Sequence, residues 1–404
     1  MKSDGDLIQT QVGIVGAGLV GMAAAVAMHH AGYKVALVDA KQPEPPARAY
    51  INTHKDAWDQ KIYAISPKNV QWLSKLGIWQ HIDPLRIGRV QAMQIWGDAG
   101  GSPLVLDADD AYQDHLAYIV EGASLNEALV RQIQTCNIST LLGSPGVKLL
   151  TEAGKTLLHL NDMALECDLL IAADGSNSWV RRQMNVALNK KNYDHIAIVA
   201  NFDTEKPHGN IARQWFAHDE EGNNTILAWL PLPGNRISIV WSVATEYAHT
   251  LMTLEDDVFT QQVSQAGGHL LGQLTQITAR ASFPLALQIS ETLALDGVVF
   301  IGDAAHQIHP LSGQGMNLGF RDVIDLLAIL QDKNSYQSIN DPGLLKRYSR
   351  VRKADIFDMR LLTDGLFQLF KSDRLAIKSL RNLGFSITDH STIKKRLVEK
   401  AISL

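Results

Sequence analysis

The sequence predicts an α/β fold: a doubly wound Rossmann-like unit, an antiparallel sheet inserted into it, and a C-terminal helical segment. Three observations predict it. The first is Gly16-Ala17-Gly18-Leu19-Val20-Gly21, set between a short apolar run and an alanine-rich run. The second is a pair of buried-strand patterns that end in Asp174-Gly175 and Gly302-Asp303. The third is a block of β-patterned segments between residues 196 and 243, lying between those two strand ends.

In chain order, Gln11–Val15 reads as a strand, the glycine run as a turn, and the following residues as a helix to Ala31, closed by Gly32. Lys34–Val38 is a second strand ending at Asp39. A strand, GxGxxG, a helix and an acidic residue ending the next strand together form the dinucleotide fingerprint. Gly16 makes the turn, Gly18 admits a pyrophosphate and Gly21 allows close packing. Asp39 accepts from ribose hydroxyls, and its charge opposes a 2′-phosphate.

Lys41–Trp58 is Pro-rich and charged, a surface excursion. Pro67–Leu76 is helical and stopped by Gly77; Val90–Trp96 and Leu104–Leu106 are strands around Gly100-Gly101. Ser124 is placed to cap a helix over Leu125–Ile133. Thr156–Leu160 and Ala164–Glu166 flank an Asn161-Asp162 turn, a hairpin. Ser178 and Arg181 follow Asp174-Gly175 at a helix start.

Ile196–Phe202, Arg213–Phe216, Thr225–Leu230 and Arg236–Val243 form the inserted sheet, which carries Trp215, Trp229 and Trp241. Those rings suit either core packing or the wall of an aromatic pocket. Leu254–Leu274 returns to helix and Ala279–Leu287 is extended. Gly297–Asp322 then gives strand, glycine-lined loop and helix: glycines permit close approach and a helix start offers N–H groups and positive dipole. Leu344–Lys371 and Arg374–Leu404 are helical, the last amphipathic and basic, which fits a solvated face or a membrane-surface contact.

The boundaries follow. Residues 1–85, 113–185 and 280–340 form a discontinuous cofactor domain, 86–112 and 186–279 a substrate domain, and 341–404 a C-terminal helical region. The 404 residues, 46% hydrophobic and 20% charged, suit a globular protein of two or more domains. A formal charge of −5 gives no reason to expect nucleic-acid binding. Cys136 and Cys167 are far apart and form no metal pair, so no metal site is expected. Val12–Met28 is uncharged, but Asp4 and Asp6 precede it, opposite to a signal sequence. No spanning helix is read.

With these motifs in this order the chain resembles the single-component flavoprotein aromatic hydroxylases, whose general type is para-hydroxybenzoate hydroxylase. Within them it is most similar to the ubiquinone-biosynthesis hydroxylases of the UbiH/UbiF/VisC type. The resemblance rests on the fingerprint, on Asp174-Gly175 with Ser178 and Arg181, on Trp229-Leu230-Pro231-Leu232-Pro233 and on Phe283-Pro284-Leu285. It continues through His306–Asp322, Thr363-Asp364-Gly365-Leu366 and Leu380-Arg381-Asn382-Leu383-Gly384. It implies bound FAD, NAD(P)H as reductant and O2 as co-substrate. The implied reaction is hydroxylation of a polyprenylated phenol in ubiquinone biosynthesis, through a C4a-hydroperoxyflavin. A hydrophobic phenolic substrate, a quinone-biosynthesis complex and a cytoplasmic place on the inner face of the membrane come with it.

Carried over by position, the resemblance puts Gly16, Ala17, Gly18, Leu19, Val20 and Gly21 at the FAD pyrophosphate and Asp39 and Ala40 at the adenosine ribose. Gly302 and Asp303 go to the ribityl or pyrophosphate region, and Pro310, Gly313, Gln314, Gly315, Met316 and Asn317 to the isoalloxazine. Asp174, with Arg181, links cofactor and nicotinamide binding. No catalytic acid–base group is assigned; His306 and His309 are candidates, and a hydrogen-bonding scaffold is the simpler role for each. Departures from the family are Asp39 for Glu, Lys61 for an Arg that contacts the flavin, and Gly122-Ala123 for Asn-Arg. These imply a looser flavin. Two rivals stay open: hydroxylation of a small soluble aromatic, and an FAD-binding accessory or scaffold protein.

Overall fold

The computed structural model describes residues 6–42, 57–97, 102–152, 154–219, 221–308 and 315–371, with the side chains of the last helix to residue 361. The basic segment Arg374–Leu404, the Gly100-Gly101 turn and the motif that begins at Leu380 lie outside what is described, and Thr363–Leu366 falls in the last helix beyond its described side chains.

Among the described residues the first sheet has eight strands, and its parallel centre runs Val298–Phe300, Met163–Ala172, Asp6–Val15, Val35–Asp39 and Ser139–Leu142. Its central strands are nearly continuous apolar runs because helices cover them. Helix Leu19–His30 is buried at every position from Gly21 to Met28. It packs against Gly122–Thr135 and Gly315–Gln331. The uncharged run Val12–Met28 is therefore strand, turn and core helix. No described helix is long and apolar enough to cross a membrane. The hairpin predicted around Asn161-Asp162 is present as Lys155–Leu160 against Met163–Ala172.

The second sheet has nine described strands and is antiparallel except where Ile211–His218 meets Ala92–Trp96. Its long strand Leu188–Thr204 lies between Arg236–Ala244 and Ala281–Ser290. The extended segment expected with the cofactor domain from residue 280 onward thus takes its hydrogen bonds in this sheet. His306–Gln307, just past Gly302-Asp303, pairs with the same strand. The cofactor loop is stitched to the sheet edge by this pairing.

Period two decides which way the tryptophans point. Trp215, Trp229 and Trp241 share one face, and Trp229 and Trp241 are 1% and 3% exposed among Phe202, Phe259 and Val263. Trp215 stacks on Trp96 at 5.0 Å and meets Trp229 edge-on at 4.8 Å. Of the two expected roles, core packing is the one the fold gives Trp229, while Trp215 and Trp241 also line a smaller cavity of about 210 Å³ on that face.

The cap expected at Ser124 is corrected. The helix begins at Gly122, three residues earlier than expected, so Ser124 lies in its first turn. Its N-terminus is served from a distance, Ala123 N–H donating to Asp59 Oδ2 (2.8 Å). Ser178, by contrast, expected only to stand at a helix start, caps Trp179–Gln183, accepting from Arg181 N–H at 2.9 Å.

Candidate active site

The glycine turn after the first strand has the shape its sequence requires. Gly16 has φ +109°, and a Cβ there would lie 2.3 Å from the Ala173 carbonyl oxygen. A Cβ on Gly21 would lie 1.9 Å from the Gly16 carbonyl oxygen, so helix and turn close only on glycine. Gly18 is different: a Cβ there meets nothing within 4 Å. It also starts the helix without a side-chain cap. Open space at an uncapped helix N-terminus is where an anionic pyrophosphate fits. Asp39 accepts from Ala17 N–H (2.7 Å) and Lys41 N–H (2.8 Å), holding the turn, and each oxygen keeps a second lone pair for a ribose hydroxyl. Ala40 follows it immediately, just past the end of the strand Val35–Asp39.

The two later strand ends meet this turn. Asp174 Oδ2 accepts from Val180 N–H (3.0 Å), while its other oxygen is buried with no hydrogen-bond partner among the described residues. Arg181, 5% exposed, donates to the carbonyls of Ser176 (2.6 Å) and Ala304 (3.0 Å). One guanidinium thus ties the Asp174 turn to the Gly302-Asp303 turn, the juxtaposition that the matching sequence pattern suggested. Burial lowers its pKa, and Asp174 opposes that.

Gly302 (φ +56°) is held by a charge cluster that the sequence reading missed. Asp322, fully buried, accepts from Gly302 N–H (2.7 Å), His306 Nε2 (2.7 Å) and Arg352 Nε (2.6 Å). A carboxylate can only accept, so His306 Nε2 carries the hydrogen. Arg352, 1% exposed, also reaches Asp325 (2.6 Å) and Asp355 (2.7 Å). Burial alone would raise Asp322; His306 and Arg352 outweigh it and hold the carboxyl below its ordinary range. Burial would likewise lower Arg352, and Asp322 and Asp355 reverse that. His306, 2% exposed and turned to Asp322, braces the turn and does not line the cavity. His309, Pro310, Gly313 and Gln314 lie outside the described residues.

Between these turns and the second sheet lies a cavity of about 580 Å³. Val20, Lys61, Tyr63, Asp303, Gly315, Met316 and Asn317 line its cofactor side. Asp303 is open to the cavity and packed on its other sides; desolvation pushes its pKa up, His306 lowers it and Asp322 raises it. Asn317 is 1% exposed and its side chain is spent on scaffold, accepting from Ser66 N–H (2.9 Å) and donating to the Ala64 carbonyl (2.9 Å). Val20 packs under Gly302 and Gly319, where a Cβ on Gly319 would come within 2.7 Å of it. The opposite wall is Ala197, Val199, Ile226, Ala228, Leu230 and Val240, on the sheet face away from the tryptophans.

Lys61 sits at the rim, its backbone N–H donating to Asp59 Oδ1 (3.0 Å). Asp59 N–H in turn donates to Glu121 (2.8 Å), which is buried and paired with Arg86 (2.6 Å). Arg86 lies over Trp58 at 4.3 Å. This brace was not legible beforehand, since its members are joined only by folding. Among the described residues no cluster of His, Cys, Asp and Glu could hold a metal ion.

The residues present fit an FAD. A glycine cradle faces open space, a buried carboxylate oxygen lacks a partner among the described residues, and a carboxylate opens on a cavity of about 580 Å³. Comparison with known proteins agrees. The FAD binding domain family matches residues 150–359, and a second FAD binding domain family matches residues 11–50. The chain is 30% identical to ubiquinone hydroxylase UbiL of Rhodospirillum rubrum over 392 residues, covering 95% of this chain and 87% of that one. It is 29% identical to 3-demethoxyubiquinol 3-hydroxylase of Escherichia coli over 398 residues, 96% of each. The fold matches p-nitrophenol 4-monooxygenase PnpA from Pseudomonas putida with a TM-score of 0.75 at 15% identity, covering 98% of both chains. It matches Klebsiella pneumoniae HpxO complexed with FAD and uric acid with a TM-score of 0.72 at 16% identity, covering 97% of this chain and 96% of that one.

Proposed function

Because this chain belongs to the FAD-dependent aromatic hydroxylases of the ubiquinone-biosynthesis family, we propose that it places a hydroxyl group on the ring of a polyprenylated phenol. It is an FAD-dependent aromatic-ring monooxygenase, with NAD(P)H and O2 as its other reactants. The observation that carries the substrate reading is the cavity: one wall holds the cofactor turns and the other is mostly hydrocarbon, with Gln214 and Ser242 among its aliphatic side chains. FAD, once reduced, supplies activated oxygen that an electron-rich ring can accept.

The chain's own part is binding, orientation and exclusion of water. Gly18 and the helix start behind it receive the pyrophosphate, and Asp39 receives the ribose. Asp303 accepts hydrogen bonds at the floor of the cavity. Ala228, Val240 and Ile226 give the ring and the first prenyl units an apolar bed, so water is displaced as substrate enters. A prenyl tail gains about 0.8 kcal/mol per CH₂ on leaving water. Substrate is therefore taken from a bilayer, and the working place we propose is a reversible contact with the inner face of the cytoplasmic membrane. The basic residues Lys378, Arg381, Lys394, Lys395, Arg396 and Lys400 support that contact.

The test is NAD(P)H-dependent O2 uptake with a detergent-dispersed prenylphenol, scored by mass spectrometry. The expected product is heavier by one oxygen, and a short-chain phenol should turn over poorly. FAD binding without any hydroxylated product would move the reading to an accessory protein. Equal turnover of untailed phenols would move it to a small soluble aromatic. Co-sedimentation with anionic liposomes tests the membrane contact; protein left in the supernatant at low salt would favour delivery by a quinone-biosynthesis complex.

A further inference from the structure

We propose that Tyr63 contacts the cofactor: its ring fills the volume left by Gly122, and its hydroxyl donates to the ribityl chain of FAD beside Asp303. This rests on the FAD reading above. Tyr63 lies on the strand Ile62–Ile65, paired with Val120, and lines the cavity together with Lys61 and Asp303. It is the one residue of that strand with a side-chain donor.

Gly122 explains how the ring comes to be there. A Cβ at position 122 would stand 3.0 Å from Tyr63 Cε2, and 3.3 Å from both Asp59 Oδ2 and the Lys61 carbonyl oxygen. It would be enclosed on three sides, and a side chain longer than a methyl would need the tyrosine ring to leave. The two positions are therefore coupled, with glycine at one permitting the aromatic ring at the other. Gly122 acts through Tyr63 and is a positioning residue.

The hydroxyl has no hydrogen-bond partner among the described residues. Desolvation first, then Asp303 and Asp59, push its pKa up to about 12, so it stays a donor at working pH. Asp59 already accepts from the N–H groups of Lys61 and Ala123. Beside Asp303, the matching ligand group is a hydroxyl. It can donate to the carboxylate and at once accept from the phenol, which an ionised phosphate oxygen cannot do. FAD offers a row of such groups on its ribityl chain.

The experiment titrates FAD, riboflavin and ADP into wild type, Tyr63→Phe and Gly122→Asn, with melting of each apoprotein as a check on folding. Tyr63→Phe keeps the ring and should melt like wild type. Its FAD and riboflavin Kd should rise about tenfold, the loss of one hydrogen bond, with ADP unchanged. Gly122→Asn should also weaken FAD, by displacing the ring, the reverse of the looser flavin that the resemblance implied for glycine at this position. Unchanged FAD affinity in Tyr63→Phe, equal weakening of ADP, or tighter FAD binding by Gly122→Asn would each overturn the proposal. A wild-type protein that binds no FAD would instead sink the functional reading on which it rests.

Discussion

On the side of Gly302 and Asp303 the cavity is walled by backbone turns braced with buried charge. On the side of strands Asn224–Leu232 and Arg236–Ala244 it is walled by small aliphatic side chains, backed by tryptophans on the other face of the sheet. The cofactor wall depends on a few directional contacts, each with a fixed partner. The opposite wall depends mainly on volume, its polar side chains being few. A change in the first should cost stability or cofactor, while a change in the second should cost specificity and leave the cofactor in place.

The largest effect should come from removing the brace. Arg352→Met leaves Asp322 buried and short of its cation, which typically costs about 3–5 kcal/mol. Urea melts should show that loss, whereas Asp325→Asn, at a partly exposed partner, should cost far less. Equal, small effects would mean that the cluster is not what holds the Gly302 turn.

Next comes Gly18→Val. Nothing lies within 4 Å of the new Cβ, so the apoprotein should melt normally while FAD binding is lost. A stable, fully yellow variant would falsify the place given to the pyrophosphate.

Ala228→Phe probes the opposite wall. Its ring enters the cavity, and KM for a prenylated phenol should rise roughly tenfold with FAD affinity unchanged. If FAD is lost along with substrate, the two walls are not independent.

The smallest effect is a pH slope. A carboxyl with a raised native pKa binds more protons folded than unfolded, so it subtracts stability as pH climbs from the ordinary carboxylate range, about 3.9, through the raised value. Asp303→Asn removes that subtraction. Its melting temperature relative to wild type should rise as pH climbs above about 4 and level off once pH has passed the raised value. A gap that does not change with pH would show that Asp303 titrates as an ordinary carboxyl.

What the sequence by itself determined are the parts that depend on neighbours in the chain. Gly16 and Gly21 were legible because a turn between strand and helix imposes its own sterics, and Asp174 and Asp303 because each follows a buried strand within two or three residues, which fixes the end of the sheet at which it emerges. The sequence put three tryptophans on the inserted sheet without saying whether they share a face or which face is the core, since the first depends on strand register and the second on what packs against the sheet. Folding alone joined Asp322 to Arg352 across 30 positions, Ala123 to Asp59 across 64, and Ser66 to Asn317 across 251. Each of those pairs is a polar group seeking a partner in a dry interior. Sequence records the need without naming the partner, because the choice is made by the packing of helices and sheets around it.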